Sequence, residues 1–258
     1  AGIDPLPPPG RILLEAHRGN SAHAPENTLV SISQALEIGV DRVEIDLMVS
    51  ADREPVVIHD ATVDRTTDGS GAVTGMEFSK LRRLDAGSWK DPKYRGEKIP
   101  VLAEVFDLCR NRAMVNIDLK SLDAVEPLIR LVQEWDFEDH LVITGKVPRS
   151  VPLFRDAGMH LTMFWEQGTL FGRYLEEGNY LEAIHTAVQS AREHSLPGFL
   201  FHSRWIGPEI VKAAHLHGLA VNVYSVEDRE TLERMAAAHV DGVMTDDPML
   251  IKNYLMGG

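Results

Sequence analysis

The chain has 258 residues, 44% of them apolar, and a formal net charge of −13. That length suits one large domain or two small ones, and that apolar share is ordinary for a globular core. The acidic balance argues against a nucleic-acid binder, because phosphate backbones attract basic surfaces, and no apolar run approaches the ~18 residues of a membrane span.

Pro5-Leu6-Pro7-Pro8-Pro9-Gly10 reads as an extended lead-in outside the core. A strand is expected at 12–17, ending in His17-Arg18-Gly19, and a helix at 27–38, stopped by Gly39. The next strand, 42–48, carries Glu44 and Asp46. Only Ser50 to Glu54 separates it from Pro55-Val56-Val57-Ile58-His59-Asp60. Five residues cannot hold a crossover helix, so the two runs form an antiparallel hairpin. Centred near Asp52-Arg53, it sets position 46 opposite position 59 and joins His59 to the face of Glu44 and Asp46.

Residues 61–112 are a Gly-, Asp-, Arg- and Thr-rich excursion, expected to form a small cap. Strands then follow at 114–119, 141–144, 161–165, 199–202, 221–225 and 242–245. Helical patterns fall at 124–135, 149–157, 173–194, 208–217, 228–238 and 248–255. Eight strands alternating with helices over about 250 residues point to an α/β fold, a (β/α)8 barrel (TIM barrel). The insertion follows its second strand, and residues 1–258 form a single domain. An open doubly wound sheet is the competitor, and no Gly-rich dinucleotide fingerprint follows the first strand.

Cys109 is the only cysteine, which rules out an internal disulfide and fits a reducing compartment. No signal peptide is visible, so a cytoplasmic location is expected. The start at Ala1 without Met leaves a removed leader open.

Charged residues at the strand ends carry the chemistry. Histidine is the side chain suited to exchanging protons near neutral pH, which makes His17 and His59 the candidates for acid/base work. Glu44 and Asp46 lie about 7 Å apart on one strand face and repel each other unless a cation joins them. Val43, Ile45 and Leu47 must face the surrounding helices, which turns both acids inward. Asn116, Asp118 and Lys120 alternate in the same way, making Asp118 a candidate third metal ligand. Arg18 suits a phosphate clamp. Lys120 suits a phosphate contact or a structural ion pair, and Tyr224 suits a pocket wall or core packing. Glu166, His202 and Asp246-Asp247-Pro248 close other strands without a clear assignment.

The chain also resembles the glycerophosphodiester phosphodiesterases. The resemblance rests on Ala16-His17-Arg18-Gly19 with Pro25-Glu26-Asn27-Thr28, on Glu44-Ile45-Asp46, and on His59-Asp60 with Asp64-Arg65-Thr66-Thr67-Asp68-Gly69. It extends through Leu84-Asp85-Ala86-Gly87-Ser88-Trp89, Gly96-Glu97-Lys98-Ile99-Pro100 and Asp241-Gly242-Val243-Met244-Thr245-Asp246. It implies a metal-dependent barrel enzyme that hydrolyses glycerophosphodiesters to glycerol 3-phosphate and an alcohol. It implies His17 and His59 as the acid/base pair, Ca²⁺ or Mg²⁺ at Glu44, Asp46 and Asp118, and Arg18 and Lys120 on phosphate. The partner is then a small-molecule substrate, with neither nucleic acid nor stable membrane insertion; oligomeric state is not legible. Two positions depart from the family pattern: Asp118 stands where Glu is usual, and Tyr224 where Trp is common. The alternatives are a lysophospholipase D- or sphingomyelinase D-like enzyme on the same fold, and a non-catalytic phosphate-ester binding protein.

Overall fold

Leu13–Ala16 (β1) pairs in parallel with both Arg42–Val49 (β2) and Gly242–Thr245 (β9), and this double pairing closes the sheet. Between them run Met114–Leu119 (β4), Leu141–Thr144 (β5), Thr162–Glu166 (β6), Gly198–His202 (β7) and Ala220–Tyr224 (β8), in the order β1-β9-β8-β7-β6-β5-β4-β2. The result is a closed eight-stranded parallel barrel, as expected from the alternating pattern. The computed structural model describes residues 10–166 and 169–256, side chains at 169 and 170 aside. Among the described residues no helix is long and apolar enough to cross a membrane.

An outer ring of helices covers the barrel. It includes Leu29–Ile38 (α1), Leu102–Cys109 (α3), Val125–Trp135 (α4), Val151–Asp156 (α5), Thr169–Glu176 (α6), Tyr180–Glu193 (α7), Pro208–Leu216 (α8), Arg229–Ala237 (α9) and Pro248–Leu255 (α10). The short α2, Phe78–Leu81, lies in the insertion. The expected helix at 173–194 is two helices. Gly178, at φ 75°, adopts a left-handed turn between α6 and α7, which an unbroken helix cannot contain.

Strand side chains alternate between two environments. Val43, Ile45, Leu47, Val115, Ile117 and Leu119 point outward and are buried in the main core with the helices. The inward set packs a floor of Met114, Val142, Phe164, Leu200, Ala220 and Met244. A polar network crosses the barrel interior. Arg42 Nη2 donates to Asn222 Oδ1 at 2.7 Å, Asn116 Nδ2 to Glu15 Oε1 at 2.5 Å, and Thr144 Oγ1 to Asn116 Oδ1 at 3.0 Å.

Pro55–Val57 (β3) pairs antiparallel with β2, as the short turn requires. Its register differs by one residue from the expected one. Leu47 faces Val57 and Val49 faces Pro55, so Asp46 meets Ile58, whose N–H donates to the Asp46 carbonyl at 3.0 Å. The stretch 61–112 divides in the structure. Leu102, Val105, Phe106 and Cys109 of α3 belong to the main barrel core, which makes α3 the crossover helix into β4. The preceding residues build a second core from Ile58, Val63, Val73, Met76, Leu81, Ala86 and Ile99, against Met48 and Val56. This cap docks on the β1–α1 loop, where Lys90 Nζ donates to the Ser21 carbonyl at 2.7 Å and Tyr94 Oη to the His23 carbonyl at 2.8 Å.

Candidate active site

β1 delivers His17 and Arg18 to the barrel mouth through a tight turn, with Arg18 at φ 56° and Gly19 at φ 82°. A Cβ on Gly19 would sit 2.5 Å from Ser31 Oγ and 2.8 Å from the Ile32 nitrogen, so only glycine passes this close to α1. The turn is pinned at both ends. The Arg18 N–H donates to Glu44 Oε2 at 2.9 Å, and Ser31 Oγ donates to the Arg18 carbonyl at 2.9 Å.

Glu44 and Asp46 project from β2, and Asp118 from β4 lies directly beside Asp46 in the parallel register. One oxygen from each of these three carboxylates lies within 4.8 Å of the others. Glu44 and Asp46 are buried, and Asp118 is partly so. Burial, and then the neighbouring Asp46, push the Glu44 carboxyl up to about 8. Burial also opposes ionisation of Asp46, but Lys120 and Arg18 outweigh it and hold that carboxyl below its usual range.

Lys120 Nζ lies 2.7 Å from Asp46 Oδ1 and also contacts Asp118. Arg18 Nε lies 3.0 Å from Asp46 Oδ2, while its Nη1 donates to Glu26 Oε1 at 2.8 Å. The Nε and Oδ1 approaches are close but misaligned, since Asp46 Oδ1 and Arg18 Nε are buried without a hydrogen-bond partner. Gly145, at φ 64° after β5, packs so closely that a Cβ there would fall 2.0 Å from Asp118 Oδ1.

His17 is held from both sides. Its Nδ1 lies 2.6 Å from Asp246 Oδ1, after β9, and its Nε2 lies 3.9 Å from Glu44 Oε2. Burial pulls its pKa down, but the Asp246 hydrogen bond and the Glu44 charge more than offset this, leaving it at about 9. Asp246 is itself positioned by Ser21 Oγ, which donates to Oδ1 at 3.0 Å. The Asp246 N–H donates in turn to Glu227 Oε2 at 3.0 Å.

His59 follows β3, and its Nδ1 lies 2.6 Å from Asp60 Oδ1. It lines a small cavity together with Glu26, Asn27 and Thr66. Its connection to Asp46 runs through side chains rather than across the hairpin: Asp60, Arg65, Glu26 and Arg18 link them in turn. Tyr224 closes β8 beside His202, their ring centroids 5.2 Å apart. Glu166 closes β6; burial and the Asp118 charge push its carboxyl up to about 7.

Several of these partners carried no assigned role in the sequence. Asn27, Asp246, Asp60 and Arg65 all stand in matched motifs, and two of them adjoin or face a candidate histidine. Adjacency of His59 and Asp60 was the available signal; the link between His17 and Asp246 spans 229 positions and needs the closed barrel.

A family model, the glycerophosphoryl diester phosphodiesterase family, matches residues 17–250. The chain belongs to the glycerophosphodiester phosphodiesterase family. It is accordingly an enzyme, a phosphoric diester hydrolase. A glycerophosphodiester phosphodiesterase of Caldanaerobacter subterraneus subsp. tengcongensis is 35% identical over 254 residues, covering 96% of this chain and 99% of that protein. One of Bacillus subtilis is 29% identical, covering 96% and 88%. The solved glycerophosphodiester phosphodiesterase of Agrobacterium tumefaciens superposes with a TM-score of 0.80 at 27% identity, covering 94% of this chain and all of that one. An Oleispira antarctica phosphodiesterase, solved with the product sn-glycerol-3-phosphate, shares the fold at a TM-score of 0.82 and 24% identity, covering 98% of each chain.

Proposed function

We propose that the chain cleaves glycerophosphodiesters to glycerol 3-phosphate and a free alcohol, with His17 and His59 as the acid/base pair. The observation that carries this reading is the convergence of three carboxylates, one of them 3.9 Å from the His17 ring, at the mouth of a closed barrel. Barrel active sites are built at that face.

The donor set fits a hard divalent cation, Mg²⁺ or Ca²⁺. Glu44, Asp46 and Asp118 offer carboxylate oxygens at close range, and Asp46 Oδ1 is buried without a hydrogen-bond partner. Such an ion, when bound, supplies positive charge against the phosphoryl oxygens. Arg18 and Lys120 add two fixed cations at the same edge and hold the phosphate in place. Asp246 accepts from His17 Nδ1–H, which leaves Nε2 as the working nitrogen on the Glu44 side. One imidazole takes the proton of the attacking hydroxyl, from water or from the substrate's own glycerol. The other protonates the departing alkoxide as its bond to phosphorus breaks. Tyr224 walls the pocket for the organic part of the substrate.

The test is release of glycerol 3-phosphate from glycerophosphocholine, with the lysophospholipid analogue as comparator. His17→Ala and His59→Ala are each expected to lose ~10²–10⁴-fold in kcat while keeping the fold. Near-wild-type turnover in either folded variant overturns the paired-imidazole reading. Preference for the lysophospholipid overturns the substrate assignment.

A further inference from the structure

Arg65 sits in the cap, in a segment held by buried Val63 and by Asp64, which accepts from the Gly71 N–H at 3.0 Å and from Ser70 Oγ at 2.7 Å. Its guanidinium spans two carboxylates. Nη1 and Nη2 donate to Glu26 Oε2 and Oε1, both at 2.8 Å. Nε and Nη2 donate to Asp60 Oδ2 and Oδ1, at 2.7 and 3.1 Å. Each carboxylate also holds a residue of the proposed chemistry. Glu26 Oε1 accepts from Arg18 Nη1 at 2.8 Å, and Asp60 Oδ1 lies 2.6 Å from His59 Nδ1.

We infer that Arg65 is a positioning residue that locks the His59 imidazole and the Arg18 clamp into one rigid unit. The inference rests on His59 and Arg18 acting as proposed above. Arg65 is 45% exposed in its side chain, and an ordinary ion pair at that exposure contributes little to stability. A planar fork that meets two carboxylates at four short distances serves geometry instead. Through Asp60 it fixes which His59 nitrogen carries the proton, leaving Nε2 for the reaction. Through Glu26 it holds the Arg18 guanidinium over Asp46. A lysine at position 65 presents a single point charge and cannot reproduce both grips.

The experiment compares wild type, Arg65→Ala and Arg65→Lys on glycerophosphocholine with saturating Mg²⁺, together with thermal melting of each. Arg65→Ala is expected to keep its melting transition and lose ~10–100-fold in kcat/KM, shared between lower kcat and higher KM. Arg65→Lys recovers one of these two parameters and not both, and millimolar methylguanidinium raises the turnover of Arg65→Ala. In an Asp60→Ala background, Arg65→Ala changes kcat by less than about threefold, because the His59 link is already broken. A folded Arg65→Ala within about twofold of wild type overturns the inference. If Arg65→Ala fails to fold, Arg65→Lys decides alone, and wild-type kcat and KM in that variant overturn it. His59→Ala and Arg18→Ala run beside them. Should those two stay active, the proposed chemistry itself falls; should they fail while Arg65→Ala stays active, only the positioning role falls.

Discussion

Asn27 grips Asp46 at two points: its Nδ2 donates to Asp46 Oδ2 at 2.7 Å, and its Oδ1 accepts from the Asp46 N–H at 3.1 Å. Asn27 is itself left-handed, at φ 58°, a conformation that asparagine tolerates better than most residues.

Two substitutions separate these roles. Asn27→Gly keeps the backbone conformation and loses the amide, so Mg²⁺ affinity and turnover fall by ~10–100-fold with a modest drop in stability. Asn27→Ala adds a left-handed penalty of ~1–2 kcal/mol and melts at a lower temperature than Asn27→Gly. Calorimetric titration and thermal melts of the two variants check the order. Equal metal affinity in Asn27→Gly and wild type refutes the first expectation.

Asp246→Asn removes the charge beside His17 Nδ1. Turnover is expected to fall by at least ~10-fold, since the orienting carboxylate is lost. The pH dependence carries a second signature. The His17 pKa is raised from 6.5 to about 9, so the Asp246 contact stabilises the native state below the unfolded value and loses this contribution as pH rises through about 9. In chelator, the stability gap between wild type and Asp246→Asn should therefore narrow from pH 6.5 to pH 9.5. A gap that widens over this range contradicts the assignment.

Metal binding should release protons. Burial and Asp46 raise the Glu44 carboxyl to about 8, so below that pH a cation must displace a proton from it. Apparent affinity for Mg²⁺ or Ca²⁺ is expected to rise with pH up to about 8 and then level. Titration calorimetry in buffers of different ionisation enthalpy measures the protons released. Chelator is expected to abolish turnover, and metal at 100 times its Kd to stabilise the fold by about 2.7 kcal/mol.

Phe106→Ala tests whether α3 is part of the barrel. Phe106 stacks on Phe137 at 4.1 Å between ring centroids and meets Trp135 edge-on at 6.4 Å. Its removal is expected to cost ~3–5 kcal/mol and to lower the single unfolding transition of the whole domain. A loss confined to the cap, with the barrel transition unmoved, excludes it.

The barrel was legible because strands covered on both faces read as apolar runs, and because charged residues interrupt those runs only at inward positions. Glu44 and Asp46 stand out against Val43, Ile45 and Leu47 for that reason, and Asp118 against Ile117 and Leu119. The hairpin register was one residue off because the turn is a three-residue loop. The Ser50 N–H donates to the Glu54 carbonyl at 3.0 Å, and Arg53 takes φ 64°, which centres the turn on Asp52. Sequence alone does not weigh Arg53 as a left-handed position. The crossover helix α3 was hidden inside a polar excursion, because only Leu102, Val105, Phe106 and Cys109 mark its buried side. Asp246 and Asn27 act across the closed barrel or from a loop, where no spacing rule reaches.

Lys90 and Tyr94 tether the cap to the backbone carbonyls of Ser21 and His23, only a few residues beyond His17 and Arg18. The cap therefore shares a mechanical frame with the residues proposed to grasp phosphorus. Replacing this inserted module would therefore disturb, through two main-chain anchors, the β1–α1 loop that carries His17 and Arg18.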